Sequence, residues 1–432
     1  MSAGAGKLLW RTGLVTAGRI GLLALWFVAI TLFYRQLGHS PDGLAQAGVL
    51  AFALAAIKMF TIALGDPLDM DVVRRVPPIL KKAPGEALVI WRTAQQLRIL
   101  LALALILLGA LLARPIALSL LQDAKWAPTV FLAATAAGCE LLYRGYLSDF
   151  QSREKFGRFL MLEAVLQATR ICAIAFLWLT GRLGVTQFLL AYTLSTLAVA
   201  IGAFVLSSGA QKQLQRFCAR TGLETWRYVR WIAPAMILGA VIERLDLFML
   251  TSLRGPVEAG LYGALIPLIM VPEVVIAFSV NALQPRIADL GSHGGLLGLW
   301  IGVSRVTVPL AIAGAAFVFF FAEEIILLTL GSGYIASAPA LRILFIAVMI
   351  WFATVPVPMS YVVMVRPRAS LGIVLVQTVF MVVTGWIAIT RFGALGVAVS
   401  VLLTRSLTAM MICALAARLL KAKAPEVEAE AA

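Results

Sequence analysis

The sequence predicts an all-α polytopic membrane protein of about twelve transmembrane helices, arranged as two six-helix lobes with a central cleft. Composition gives the first reason. Of the 432 residues, 61% are hydrophobic and 13% charged, with a mean hydropathy of +0.95, whereas soluble domains carry about 25% charged residues. Apolar stretches recur along the whole length, and a run of about 18 or more such residues marks a candidate span. Third, segments on either side of the midpoint repeat one another at a near-constant offset.

Hydropathy places the spans near 9–33, 44–65, 98–120, 127–148, 158–180, 184–207, 231–253, 258–285, 296–321, 338–363, 369–390 and 394–416. Lys7 and Arg11 ahead of the first run imitate a signal peptide. "ITLFYRQLG" follows with no small-residue cleavage site, so this run is read as a retained span. With the N-terminus inside, the cytoplasmic segments hold 23 Lys and Arg and the outer segments 7. That asymmetry orients a multi-pass protein with both termini cytoplasmic, and it requires an even number of spans. It also accounts for the net charge of +15 without nucleic acid as a partner.

"RQLGHSPDGLAQAG" (35–48) follows the first span and "TSLRGPVEAGLYGA" (251–264) the seventh. "LWLTGRLGVTQFLLAYTLSTL" (177–197) likewise pairs with "WIAITRFGALGVAVSVLLTRSL" (386–407). Both offsets are about 210–220 residues, which two six-helix halves of the same orientation explain; such duplication is a transporter habit. The expected division is an N-terminal lobe at 1–206, a cytoplasmic amphipathic linker at 207–230, a C-terminal lobe at 231–420 and a disordered cytoplasmic tail at 421–432. The basic stretches 66–98 and 207–230 interleave Trp and Leu with Lys and Arg, and are expected to be amphipathic surface helices on the anionic inner leaflet.

Cys139, Cys172 and Cys413 fall in spans and Cys218 in a loop, without zinc or disulfide spacing. His39 and His293 fall on opposite sides of the membrane in this topology. No metal and no cofactor is expected. "GAGK" (4–7) lacks the spacing of a phosphate-binding loop, and no long outer loop is available to house a glycosyl-transfer site.

The ionisable residues deep in the spans carry the chemistry. They are Arg19, Lys58, Arg170, Arg244, Arg305 and Arg405, against Glu140, Glu243, Asp246 and Glu273. Charges at bilayer depth are costly and should face a cavity or one another. "VIERLDLF" (241–248) is the densest case. Glu243 and Asp246, three residues apart, share a helix face, and Arg244 points about 100° away. "VPVPMS" (355–360) and Pro272 mark kinks in spans ten and eight.

"LDLFMLTSLRGPVEAGLYGALIPLIMVPEVVIAFSVNALQPRIADL" (245–290) resembles the seventh and eighth helices of bacterial polysaccharide flippases. "LTLGSGYIASAPALRILFIAVM" (328–349), "RFGALGVAVS" (391–400) and, more loosely, "GRIGLLALWFVAITLFYRQLG" (18–38) resemble further segments of that family in the same order. The family is the polysaccharide-transporter branch of the multidrug/oligosaccharidyl-lipid/polysaccharide superfamily. The resemblance implies a MATE/flippase-like fold and translocation of a polyprenyl-pyrophosphate-linked oligosaccharide across the bacterial inner membrane. As partners it implies that lipid-linked oligosaccharide, membrane lipids, and a polysaccharide polymerase with other assembly proteins. The family places an acidic residue ahead of this segment, and Glu243 and Asp246 both fit the position.

On this reading Arg19, Arg244 and Lys58 are the substrate-binding cations of a water-filled cavity. A guanidinium offers bidentate contact to phosphate and stays charged. Arg19 and Arg244 lie in the first and seventh spans, corresponding helices of the two halves. Glu243, Asp246, Glu273 and Glu140 are charge partners of the deep cations or coupling residues. The competing account of the cluster is an ion-pair network that only holds helices together. The alternative functions are a cation-coupled multidrug exporter of the same superfamily, which favours an acidic, aromatic cavity, and a membrane polysaccharide polymerase or ligase.

Overall fold

The computed structural model describes residues 3–431 apart from 41, 183, 208–217, 294 and 366. Side chains are described from Gly18 to Leu420, outside parts of 277–294 and 363–371. Fourteen α-helices make up these residues: α1 Ala3–Leu37, α2 Gly43–Leu80, α3 Pro84–Leu120, α4 Ala127–Ser152, α5 Phe156–Leu179, α6 Val185–Leu206, α7 Ala219–Ile242, α8 Leu245–Arg254, α9 Pro256–Gly263, α10 Ile266–His293, α11 Leu296–Thr329, α12 Ala338–Thr354, α13 Pro356–Val365 and α14 Pro367–Ala431. No strand occurs among the described residues. The chain divides into two compact units, Met1–Leu245 and Asp246–Ala432.

Eight helices among the described residues are long and apolar enough to cross a membrane, or nine if one bent pair is a single span. Gly372–Leu420 passes as one stretch of 49 residues, but α14 is kinked at Gly393, whose φ of 58° and ψ of −131° leave the helical region. A side chain would be strained there, and glycine is not. Dividing α14 at that kink, and adding α4 and the interrupted α7–α8 to the nine, is consistent with twelve spans. Glu140, Arg144 and Asp149 lower the hydropathy of α4.

Three spans are interrupted: the tenth where "VPVPMS" marked a kink, the eighth ahead of Pro272 rather than at it, and the seventh where the sequence suggested one helix. The seventh breaks at the Glu243–Arg244 turn. The eighth bends by 42° between α9 and α10. The tenth breaks at Val355, ahead of Pro356, because proline lacks the N–H and its ring crowds the preceding turn.

The stretch 66–98 corrects the expectation of surface helices. α2 and α3, of 38 and 37 residues, are each about 55 Å long, well beyond a hydrocarbon core of about 30 Å. Their far ends remain helical and meet in a turn at Lys81–Ala83. Val72, Val76, Ala87, Ile90, Trp91 and Ala94 pack there with Tyr143 and Tyr146 of α4 as a buried cluster, and the Trp91 indole donates to the Gly145 carbonyl at 2.8 Å. Of the linker at 207–230, residues 208–217 lie outside the described residues, and 219–230 form the first half of α7. α14 runs on through Ala431, so 421–431 are helical in backbone, with their side chains outside the described set.

Candidate functional site

α7 ends at Ile242 and α8 starts at Leu245. The two residues between them, Glu243 and Arg244, therefore sit on a turn rather than on a helix face. Their N–H groups still donate to Gly239 and Val241 at 3.0 and 3.2 Å. The Glu243 carboxylate accepts from the Lys58 ammonium of α2 and, at 3.4 Å, from the Arg244 guanidinium. Two cations thus share one acid beside the C-terminal end of α7, where the helix dipole favours positive charge. The Lys58 and Glu243 side chains are 44% and 40% exposed and that of Arg244 13%. Asp246 belongs to the next helix. It lies in the first turn of α8, accepts from the Leu247 N–H at 2.8 Å and the Tyr262 hydroxyl, and favours that dipole end by its negative charge.

Arg19 of α1 makes a two-pronged pair with Glu163 of α5, both N–O distances being 3.0 Å. It also lies 5.1 Å from the Phe159 ring centroid. Phe159 and Glu163 are four residues apart on α5, so one face serves the guanidinium twice. Glu163 was missed among the deep acids because it sits near the start of its predicted span. Aromatic-then-acid at i, i+4 was the available signal.

Glu140 of α4 joins three other helices. It accepts from Arg170 of α5 at 2.7 Å, from the Tyr192 hydroxyl of α6 and from Thr61 of α2 at 3.3 Å. Arg170 is 6% exposed, lies 3.7 Å from the Tyr192 ring centroid and donates to Thr196 at 2.8 Å. Below it Arg144 of α4 bridges Asp66 and Asp69 of α2, and Asp69 also pairs with the fully buried Arg98 of α3 at 2.6 Å. In the second unit Glu273 of α10 pairs with Arg405 of α14. Arg305 of α11 is exposed, and among the described residues no acid pairs with it. No group of three or more His, Cys, Asp or Glu placed to hold a metal ion occurs among the described residues.

Residues 25–290 match the model of a family described as polysaccharide biosynthesis protein. This chain belongs to that family. The matched segment holds Lys58, Glu140, Glu243, Arg244, Asp246 and Glu273, while Arg19, Arg305 and Arg405 lie outside it. No curated protein matches the chain.

Among solved structures, this family member is similar to an inward-facing multidrug resistance MATE transporter of the MOP superfamily. The TM-score is 0.72 at 15% identity, over 94% of this chain and 98% of that one. It is similar to a MOP superfamily transporter from Pyrococcus furiosus, whose binding pocket is described as of reverse polarity, with a TM-score of 0.66, 14% identity and 95% of each chain covered. The inward closed lipid II flippase MurJ is a third likeness, at 0.64 and 14%, over 90% of this chain and 86% of that one. The shared fold is that of MATE and MurJ, and the protein is a multi-pass membrane protein.

Proposed function

We propose that this protein flips a lipid-linked oligosaccharide, polyprenyl-pyrophosphate-linked, across the bacterial inner membrane by alternating access, with both termini cytoplasmic and the lobes at 1–206 and 231–420 as the moving bodies. The observation that carries this reading is the helix break at Glu243–Arg244, where Lys58 and Arg244 share one carboxylate. The cluster holds one surplus positive charge and is half open to solvent, so a pyrophosphate can exchange for Glu243 without stranding a buried charge. Arg19, half exposed and paired with Glu163, offers a second exchangeable guanidinium. Family membership supports the substrate class, and the MurJ likeness supports a fold capable of the task.

Lipid-linked oligosaccharide transport by the purified chain in proteoliposomes tests the proposal. Arg19→Ala and Arg244→Ala should each weaken competition by inorganic pyrophosphate by about ten- to a hundredfold, the size of one charge-assisted phosphate contact. Arg→Lys at each site should retain part of it. Unchanged competition in the double alanine variant would leave the ion pairs as purely structural. The multidrug-exporter reading takes its support from the MATE likeness. It requires pH- or sodium-dependent export of cationic dyes that is lost in Glu243→Gln, with no response to the lipid-linked sugar.

A further inference from the structure

Six cations lie deep in the predicted spans, and the structure settles five of them. Arg19, Lys58, Arg170, Arg244 and Arg405 each meet a carboxylate. Arg305 does not, among the described residues. Its neighbours Ile301 and Val306 are large, apolar and about half exposed, so this stretch of α11 presents itself to lipid. A lone guanidinium among lipid-facing side chains is a costly placement that needs an anion or water to offset it.

Beside Arg305 the second unit has an apolar groove of about 810 Å³ between α10, α11 and the α12–α13 break. Leu283, Leu299, Val303, Val306, Leu310 and Phe352 line it. Gly298 and Gly302 open it on the α11 side, and a Cβ built at either would meet nothing within 4 Å. Arg305 immediately precedes the lining residue Val306 and follows Gly302 by three residues. That spacing puts it on the neighbouring edge of the same face, about 4.5 Å further along the axis. A greasy slot with a cation at its edge that no acid pairs among the described residues is complementary to one kind of molecule: a long apolar chain ending in a phosphate.

We propose that this groove holds the isoprenoid chain of the lipid-linked substrate, with the adjoining phosphate on Arg305. The inference rests on the flippase reading above and deepens it, because it assigns the lipid portion a site in the second unit, occupied at a different step from the one in which the diphosphate meets the Lys58–Glu243–Arg244 cluster. The occupant is an isoprenoid diphosphate rather than bulk phospholipid. Among the described residues the slot has a lining for a chain and Arg305 as the cation at its edge, whereas a two-chain glycerolipid brings a second tail with no lining assigned to it.

The test uses the full chain in nanodiscs of phosphatidylethanolamine, with farnesyl diphosphate carrying a photoreactive group on its terminal isoprene. Labelling should fall on the peptide spanning 283–310. Gly302→Leu, which fills open space and improves helix propensity, should cut labelling at least fivefold. Arg305→Ala should cut it about tenfold, while leaving labelling by the uncharged farnesol analogue unchanged. Inorganic pyrophosphate should compete poorly. Labelling elsewhere, no effect of either variant, or equal competition by phosphatidylglycerol would overturn the proposal and make Arg305 a side chain that reaches the interface. The transport assay separates the two readings. Transport that persists in the wild-type chain and both variants, with labelling unchanged, removes the groove alone. Variant-sensitive labelling without any transport of lipid-linked sugar removes the flippase reading and retains an isoprenoid-diphosphate site.

Discussion

In Met1–Leu245 several acids are shared. Arg144 reaches Asp66 and Asp69, and Asp69 also holds Arg98. Asp71 binds Arg74, Arg75 and the Thr225 hydroxyl, and Arg75 passes on to Glu224 of α7. Glu140 joins Arg170, Tyr192 and Thr61. In Asp246–Ala432 the ion pairs among the described residues join one acid to one cation, Glu273 with Arg405 and Glu323 with Arg342, and Glu258 accepts the Ala394 N–H at 2.7 Å. At Glu140, Asp69 and Asp71 the first unit therefore joins one acid to partners from other helices. A network of that kind is high-stakes: fully satisfied, it rigidifies, and partly satisfied, it is expensive. The second unit ties its helices with separable pairs, and among the described residues no acid pairs with Arg305.

The largest expected effect breaks the first unit at the buried Arg170–Glu140 pair. Arg170→Ala strands Glu140 with two hydroxyl donors and should cost about 3–5 kcal/mol of stability, measured as the denaturation midpoint in detergent. Arg170→Lys should recover only part, since an ammonium keeps the charge and loses the planar stacking over Tyr192. A smaller effect is expected at the isolated pair of the second unit. Arg405 and Glu273 are 25% and 36% exposed, so Arg405→Ala should cost about 1–2 kcal/mol, between surface and buried pairs. The exchange Glu273→Arg with Arg405→Glu should recover most of it. A destabilisation at Arg405 as large as at Arg170 would erase the distinction between the units. The smallest effect is at Arg305, where Arg305→Ala should stay within about 0.5 kcal/mol of wild type even though it cuts labelling by the isoprenoid probe.

The fold class and most spans were legible because a bilayer leaves only one economical way to bury a backbone, and long apolar runs record it. The deep charges were legible for the same reason: Glu140 or Arg405 stands out wherever its neighbours are Ala, Leu and Val. Their partners were not. Which helix faces Arg19 is decided by the packing of α1 on α5, and no local pattern names Glu163. The break at Glu243–Arg244 was visible as a cluster of charges but read as part of a span, because hydropathy averages across a two-residue turn. The repeats were legible, and the structure adds a physical reason for them. At the start of α2, Gln46 accepts the Val185 N–H that opens α6, and at the start of α9, Glu258 accepts the Ala394 N–H after the α14 kink. In each unit the first repeated segment thus holds the second.

The same distances set a schedule for synthesis. Glu140 enters the membrane before Arg170, which follows it by 30 residues, so that pair forms as soon as α5 arrives. Lys58 precedes Glu243 by 185 residues, and at about 5–20 residues per second the ammonium waits roughly 10–40 s for its carboxylate. Through that interval it depends on water or lipid phosphate. The turn that interrupts the seventh span is therefore also a milestone on the ribosome: once Glu243 and Arg244 emerge, every ion pair of the first unit named above has both of its members.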